Sequence, residues 1–359
     1  MSEKSRRSRL EAPCSILHHL YRSMDFLEKH KTEVEKAVYF QMAALMDADV
    51  DLIFYDTTSL HFEIDDEDDE ILDWCEREYE PLRKRGHSKN GRRDAPQIVV
   101  GLAVTRDGLP VRSWVFPGNT TDVATVRKVK KDLSGWRLSR CVFVGDAGMN
   151  SAENRRELAL GGGKYILASK MRAGDEVTNE VLTRAGRYRA VDENLRIKQV
   201  EVGGQENYDG KWVVTSNDDT LSVEDLALGY KQLMRVEDCW RTLESGLHLR
   251  PVYHWTSWRI QAHVTICVLA LLLERIVEIR CGDTWRNIRD DLASIKVVEY
   301  DRSEYRIRQR SELQPKATAL LEKVGAAMPR EFVSIVRIAS ESGEPISNNG
   351  VAASGKSTS

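Results

Sequence analysis

Three acidic residues, Asp56, Asp146 and Glu237, stand where a fold could gather them for chemistry. Carboxylates facing one gap repel each other unless hard cations neutralise them, and magnesium prefers oxygen ligands from a few carboxylates, water and phosphate. With two such ions, one activates an attacking oxygen and the other stabilises the leaving oxygen of a phosphodiester. The chemistry implied is that of a nuclease. An arbitrary Asp or Glu is most often a solvated or ion-paired residue, so the weight falls on the elements that would position these three.

Asp56 lies in Val50-Asp51-Leu52-Ile53-Phe54-Tyr55-Asp56-Thr57-Thr58-Ser59-Leu60, a run rich in β-branched and aromatic residues that predicts a strand. Gln97 to Thr105 and Leu109 to Phe116 flank an Asp107-Gly108 turn, a strong hairpin signal. Thr121 to Leu133 reads as a helix. Cys141 to Asp146 reads as a short buried strand ending in a carboxylate, followed by a helix capped near Ser151 and a strand over Tyr165 to Ser169. In this order the first and fourth strands can lie side by side at the centre of one sheet, which would bring Asp56 and Asp146 together.

From Met171 to Ser216 the pattern turns to short alternating pieces separated by Gly and polar turns, predicting a β-rich insertion. Ser222-x-x-Asp225 opens one long helix through Leu243, which carries Glu237, and a second helix runs from Arg259 to Arg280. Residues Ile16 to Leu45 are spaced as amphipathic helices.

Composition excludes more than it assigns. The chain has 359 residues, 41% of them hydrophobic, and a formal net charge of -3, so bulk charge does not announce a nucleic-acid partner. Cys14, Cys75, Cys141, Cys239, Cys267 and Cys281 form no Cys-x-x-Cys pair and have no His at zinc-ligand spacing. Val264 to Leu273 is about half of the roughly 20 residues that span a bilayer and reads as a buried helix. The acidic run Asp65 to Glu70 lacks the spaced ligands and central Gly of an EF-hand and reads as solvated loop. Gly161-Gly162-Gly163-Lys164 is followed by Tyr165 and a strand, which argues against a phosphate loop.

Six blocks carry a family resemblance: Y-D-T-T-S-L-H-F-E (Tyr55 to Glu63), G-H-S-K-N-G-R-R-D (Gly86 to Asp94), F-P-G-N-T-T-D (Phe116 to Asp122), V-G-D-A-G-M (Val144 to Met149), Y-K-Q-L-M-R-V-E (Tyr230 to Glu237) and L-R-P-V-Y-H-W (Leu249 to Trp255). In type and order they resemble the DDE transposases of bacterial insertion sequences, in the IS four-like branch with a Tyr-Arg-Glu-Lys signature around the last Glu. The resemblance implies an α/β, RNase H-like catalytic core with a β-rich insertion before the helix carrying that Glu. It implies Asp56, Asp146 and Glu237 as catalytic and metal-binding acids holding Mg2+ or Mn2+, two ions in all. Tyr230 matches the signature's Tyr, seven residues before Glu237 and so on nearly the same face of one helix. Leu233 and Glu244 occupy the signature's Arg and Lys positions. Arg235 and Arg241 are positioned to substitute, since Arg reaches phosphate from several backbone positions. Lys89, Arg92, Arg93 and Arg250 complete the expected DNA contacts.

The resulting expectations are a helical lead-in over 1–49, a catalytic domain over 50–280 with its insertion at 171–216, a mixed helical region over 281–342 and a disordered tail over 343–359. Relatives carry a longer N-terminal region, so the chain reads as N-terminally truncated. The expected function is DNA transposition by metal-dependent nicking and strand transfer at the ends of an insertion sequence. The partners are double-stranded DNA and a second copy of the chain, in the bacterial cytoplasm. Two alternatives stand beside it: a catalytically impaired DNA-binding remnant, and a structure-selective nuclease that cuts without joining.

Overall fold

The computed structural model describes residues 14–46, 50–69, 71–72, 78–87, 91–136, 141–170, 188–191, 197–200 and 212–338. Helices α1 (Cys14–Lys29) and α2 (Lys31–Met46) precede β1 (Leu52–His61). Two short strands, β2 (Ile71–Leu72) and β3 (Glu78–Tyr79), pair with each other. Then come β4 (Gln97–Thr105), β5 (Pro110–Pro117), α3 (Asp122–Leu133), β6 (Val142–Gly145), α4 (Ala152–Ala159) and β7 (Lys164–Ser169). A hairpin of β8 (Tyr188–Val191) and β9 (Ile197–Val200) is followed by β10 (Val213–Ser216), α5 (Val223–Lys231), α6 (Met234–Ser245) and α7 (Ser257–Cys281).

The central sheet runs β10-β7-β6-β1-β4-β5. β1 pairs in parallel with β6, and antiparallel with β4, which pairs antiparallel with β5. The two strands carrying or preceding the aspartates are therefore neighbours at the middle of the sheet, as the element order predicts. β4 is buried along its whole length, as befits Gln-Ile-Val-Val-Gly-Leu-Ala-Val-Thr between two partners and two covered faces. The hairpin to β5 turns at Gly108, whose φ of 74° is the left-handed geometry that the Asp-Gly signal demands.

Alternation sets the faces. Leu52, Phe54 and Leu60 of β1, together with Val142 and Val144 of β6, join the core cluster that also holds Val236, Trp240 and Leu243 of α6. α6 packs on β1 and β4, and α5 on β6, β7 and β10. The opposite face takes the odd residues of β1. Tyr55 packs there against Trp114 at 5.8 Å and Phe143 at 5.8 Å. α2 is tied to β5 by buried Glu35, which accepts hydrogen bonds from the Ser113 hydroxyl (3.0 Å) and amide (3.2 Å).

Helix α7 is long and apolar enough to cross a membrane by length and composition alone. Ile260, Val264, Cys267, Val268 and Leu271 belong to the core beneath the sheet, so it is a core helix of a globular unit, in line with the sequence reading.

Three expectations need correction. The strand read as the end of the insertion, β10, is part of the central sheet: Val213 faces Ser169 and Ser216 faces Ile166 in an antiparallel ladder with β7. The single helix from Ser222 to Leu243 is two helices. Hydrogen bonds from Leu233 to Tyr230 (2.9 Å) and from Arg235 to Gln232 (2.9 Å) close tight turns of the 3₁₀ type between them. The Ser222 cap itself holds, its hydroxyl accepting from the Asp225 amide at 3.1 Å. Finally, the acidic loop is not wholly solvated. Asp68 is 4% exposed and paired with Arg83, while Glu67 and Asp65 engage Arg85, so the acidic run and the basic run that follows it bind one another. The tail over 343–359 lies outside the described residues.

A second compact unit begins at Ile276, within α7. It comprises α8 (Trp285–Leu292), α9 (Pro315–Val324) and an antiparallel sheet of β11 (Val297–Arg302), β12 (Tyr305–Arg310) and β13 (Phe332–Arg337). α8 packs on α9, with Ile288 and Ala317 buried.

Candidate active site

Period-two alternation directs Asp56 to the same face as Phe54 and Leu60, the face that α6 covers. In the ladder with β4 it stands opposite Leu102, itself a member of that core. Asp146 follows directly on the last residue of β6. Glu237 sits in the first turn of α6, which lies across β1. These elements close on a cavity of about 300 Å3 lined by Asp56, Asp146 and Glu237, with Thr57, Thr58, Leu233 and Trp240. Residues from three distant parts of the sequence thus meet in one cleft, with Leu233 and Trp240 as its apolar side.

Asp146 accepts a 2.9 Å hydrogen bond from the Gly148 amide, which orients its carboxyl in the loop after β6. Tyr230, at the end of α5, packs at a tilt of 42° against Trp212, with ring centroids 5.0 Å apart. Burial raises the pKa of its phenol, and the negative charges of Asp146, Glu237 and Asp56 push the same way. The three acids therefore converge electrostatically on one tyrosine as well as on one cleft. The expectation that Tyr230 and Glu237 share a helical face is replaced by this arrangement, in which each belongs to its own helix.

The donor set in the cleft is all oxygen, which suits a hard divalent cation. Among the described residues, however, no group of three or more His, Cys, Asp or Glu side chains is drawn into a coordination shell. The fit is one of donor chemistry and shared cavity.

The expected DNA contacts divide. Arg235 is exposed on the first turn of α6, near Glu237 in sequence. Arg241 is paired with Asp238 at 2.8 Å, and Arg250 with Glu244. Arg92 bridges Glu63 (3.1 Å) and Asp94 (3.0 Å), and its hydrogen bonds hold both carboxyls below their ordinary range. Arg93 is exposed, and Lys89 lies outside the described residues. His254 packs against His263 at 5.5 Å with its pKa lowered, chiefly by burial, which agrees with a structural role; Trp255 is exposed beneath the Arg83 guanidinium.

One contact next to Asp56 is not readable from the sequence. Asp122 accepts a 2.5 Å hydrogen bond from the hydroxyl of Thr57, the neighbour of Asp56. It ends the F-P-G-N-T-T-D block, and membership of that block was the available signal.

Residues 66–273, more than half of the chain, match the family described as "Transposase DDE domain". Asp146 and Glu237 fall inside that stretch, and Asp56 just before it. No curated protein matches. Among solved structures, a piggyBac transposase synaptic complex with hairpin DNA is similar at 12% identity and a TM-score of 0.38, over 66% of this chain and 50% of that one. The chain thus spans half the length of that solved relative.

Proposed function

Because the chain belongs to the DDE transposase-domain family, we propose that it cuts and joins DNA at the ends of an insertion sequence, with Asp56, Asp146 and Glu237 as the catalytic acids. The observation that carries the reading is the single cleft lined by all three. The strand order, with a parallel β1–β6 pair flanked by an antiparallel β1-β4-β5 meander, supports an RNase H-like core. The match of Tyr230 and Glu237 to their spaced signature supports the IS four-like branch.

The three carboxylates would hold Mg2+ or Mn2+, two ions in the complete site. Bound there, such ions generate a nucleophile at neutral pH and neutralise charge developing on the phosphate. The protein's part is positioning. Leu233 and Trp240 form one side of the cleft, and Tyr230 offers a phenol near the acids as a hydrogen-bond donor to a phosphate or sugar oxygen. Arg235, exposed on the first turn of α6, would be free to reach the DNA backbone. In the first step water attacks phosphorus, and the bond to the neighbouring 3′-oxygen breaks, leaving a 3′-hydroxyl. In the second that hydroxyl attacks another phosphodiester, so one ester bond forms as one breaks. Two ends must be handled together, for which a homodimer on double-stranded DNA, in the bacterial cytoplasm, is the simplest arrangement.

The test is a supercoiled plasmid carrying the DNA that flanks the gene. Nicks and strand-transfer products should form with Mg2+ or Mn2+, vanish with a chelator, and be lost in Asp56→Asn, Asp146→Asn and Glu237→Gln at unchanged thermal stability. A competing reading, a DNA-binding remnant without chemistry, draws on Leu233, buried at the signature's Arg position, and on Glu244, engaged with Arg250. It expects gel shifts without nicks. Nicks without strand transfer would instead identify an ordinary nuclease.

A further inference from the structure

Asp122 touches both segments that carry the aspartates. On one side its Oδ1 accepts the 2.5 Å hydrogen bond from Thr57 Oγ1. Thr57 is 1% exposed, and alternation along β1 turns it away from the face of Asp56, toward α3. On the other side, Oδ2 lies against Gly148. A Cβ placed on that glycine would come within 3.1 Å of Asp122 Oδ2 and within 3.1 Å of Asp146 Oδ1. The carboxylates of Asp122 and Asp146 therefore flank one glycine, whose amide is already donated to Asp146.

The residue is itself held firmly. Asp122 is the first residue of α3, where the oriented amides of a helix start stabilise a negative charge. Val126 and Val129 bury the next turns of that helix. The Asn154 side-chain amide donates to Val123 O at 2.9 Å and to Met149 O at 2.8 Å, fastening the start of α3 to the loop after β6. A hydroxyl donating to an ionised carboxylate is among the stronger hydrogen bonds available to fix a strand.

We propose that Asp122 is a positioning residue: through Thr57 and Gly148 it sets the separation between the middle of β1 and the loop after β6, and so the separation of the Asp56 and Asp146 carboxylates. This rests on the reading of Asp56 and Asp146 as the metal-binding acids. The alternative is a plain helix-start role for Asp122, which would affect stability and leave the cleft alone.

The experiment uses the full chain in two assays, Mn2+ binding followed by electron paramagnetic resonance and single-turnover plasmid nicking, with thermal melts alongside. Thr57→Val and Asp122→Ala should each weaken Mn2+ binding and slow nicking by about tenfold, and the double variant should be little worse than either single, the sign of one shared interaction. Thr57→Ser, which keeps the hydroxyl, should stay within about threefold of the parent. Additive losses, Mn2+ binding and nicking within about twofold of the parent, or a Thr57→Ser variant as impaired as Thr57→Val would each overturn the proposal. If Asp122→Ala fails to fold, the contrast between Thr57→Val and Thr57→Ser decides. Asp56→Asn runs in parallel. Parent-like behaviour there defeats the reading of the acids, whereas its loss beside intact Thr57→Val and Asp122→Ala defeats the positioning role alone.

Discussion

Tyr230 and Glu237 approach the same acids from two helices. The tyrosine lies in the last turn of α5 and the glutamate in the first turn of α6, with a tight turn between them. The charges of Asp146, Glu237 and Asp56 all oppose ionisation of the Tyr230 phenol, which burial already disfavours. Phenolate is the charged form, so both effects raise the pKa. In a chelated sample, ultraviolet difference titration of the parent against Tyr230→Phe should give a phenol ionising above the ordinary tyrosine value of about 10. Asp146→Asn should bring it down toward that value. A phenolate appearing below the ordinary value would contradict the arrangement.

The Asp68–Arg83 pair should behave as a buried ion pair. Arg83 Nε and its backbone amide both donate to the Asp68 carboxylate, at 2.6 Å and 3.0 Å. Removing one partner strands a buried charge, so Asp68→Ala should cost about 3–5 kcal/mol in urea unfolding. Asp68→Ala with Arg83→Met should cost less than the single change. A loss below about 1 kcal/mol for Asp68→Ala would place the pair with ordinary surface bridges.

Gly118 should tolerate no side chain. A Cβ there would stand 2.0 Å from Gln97 O and 2.2 Å from Lys84 O, both backbone atoms. Its own carbonyl accepts from Gln97 Nε2 at 2.9 Å, and its amide donates to Leu82 O. Gly118→Ala should abolish soluble expression or cost more than about 4 kcal/mol. Gly91→Ala, at a left-handed φ of 75° but in open space, should cost only about 1–2 kcal/mol. Equal melting temperatures for the two variants would refute the close approach.

Glu244→Lys should alter DNA binding without altering the acids. Glu244 now holds the Arg250 guanidinium. Reversing its charge releases that arginine and adds a cation. The plot of log affinity against log salt should steepen by about 0.9 for each further phosphate neutralised. Filter binding over a salt series measures this, and an unchanged slope would remove both residues from the DNA path.

Much of the first unit is legible in the sequence because local signals agree with tertiary demands. The branched run of β1, the Asp-Gly turn before β5, the Ser151 and Ser222 caps and the positions of Asp56 and Asp146 follow from patterns a few residues long. The break between α5 and α6 was not readable. Gln232 and Leu233 are neither Gly nor Pro, and both keep right-handed helical angles, so only the switch of hydrogen bonds to shorter turns marks it. β10 reads as part of the insertion because its membership of the sheet depends on where the chain returns, not on its own four residues. The contacts of Asp68 and Asp122 are not legible for a related reason. Their partners, Arg83 and Thr57 among them, are distant in sequence, and composition cannot pair them.

The pairing of β7 with β10 also governs what the core can accept. Since Ser169 and Val213 stand opposite each other in an antiparallel ladder, the segment between them, which includes the β8–β9 pair, leaves and re-enters the sheet at adjacent points. Closing a flexible loop costs entropy that grows only logarithmically with its length, about 0.6 kcal/mol for each doubling. The segment from 170 to 212 can therefore lengthen or shrink while its two ends stay hydrogen-bonded to each other, and Glu237, which follows on the far side, keeps its place over β1. Recombination or drift could remodel that loop, and whatever it contacts, without re-solving the packing problem of the sheet.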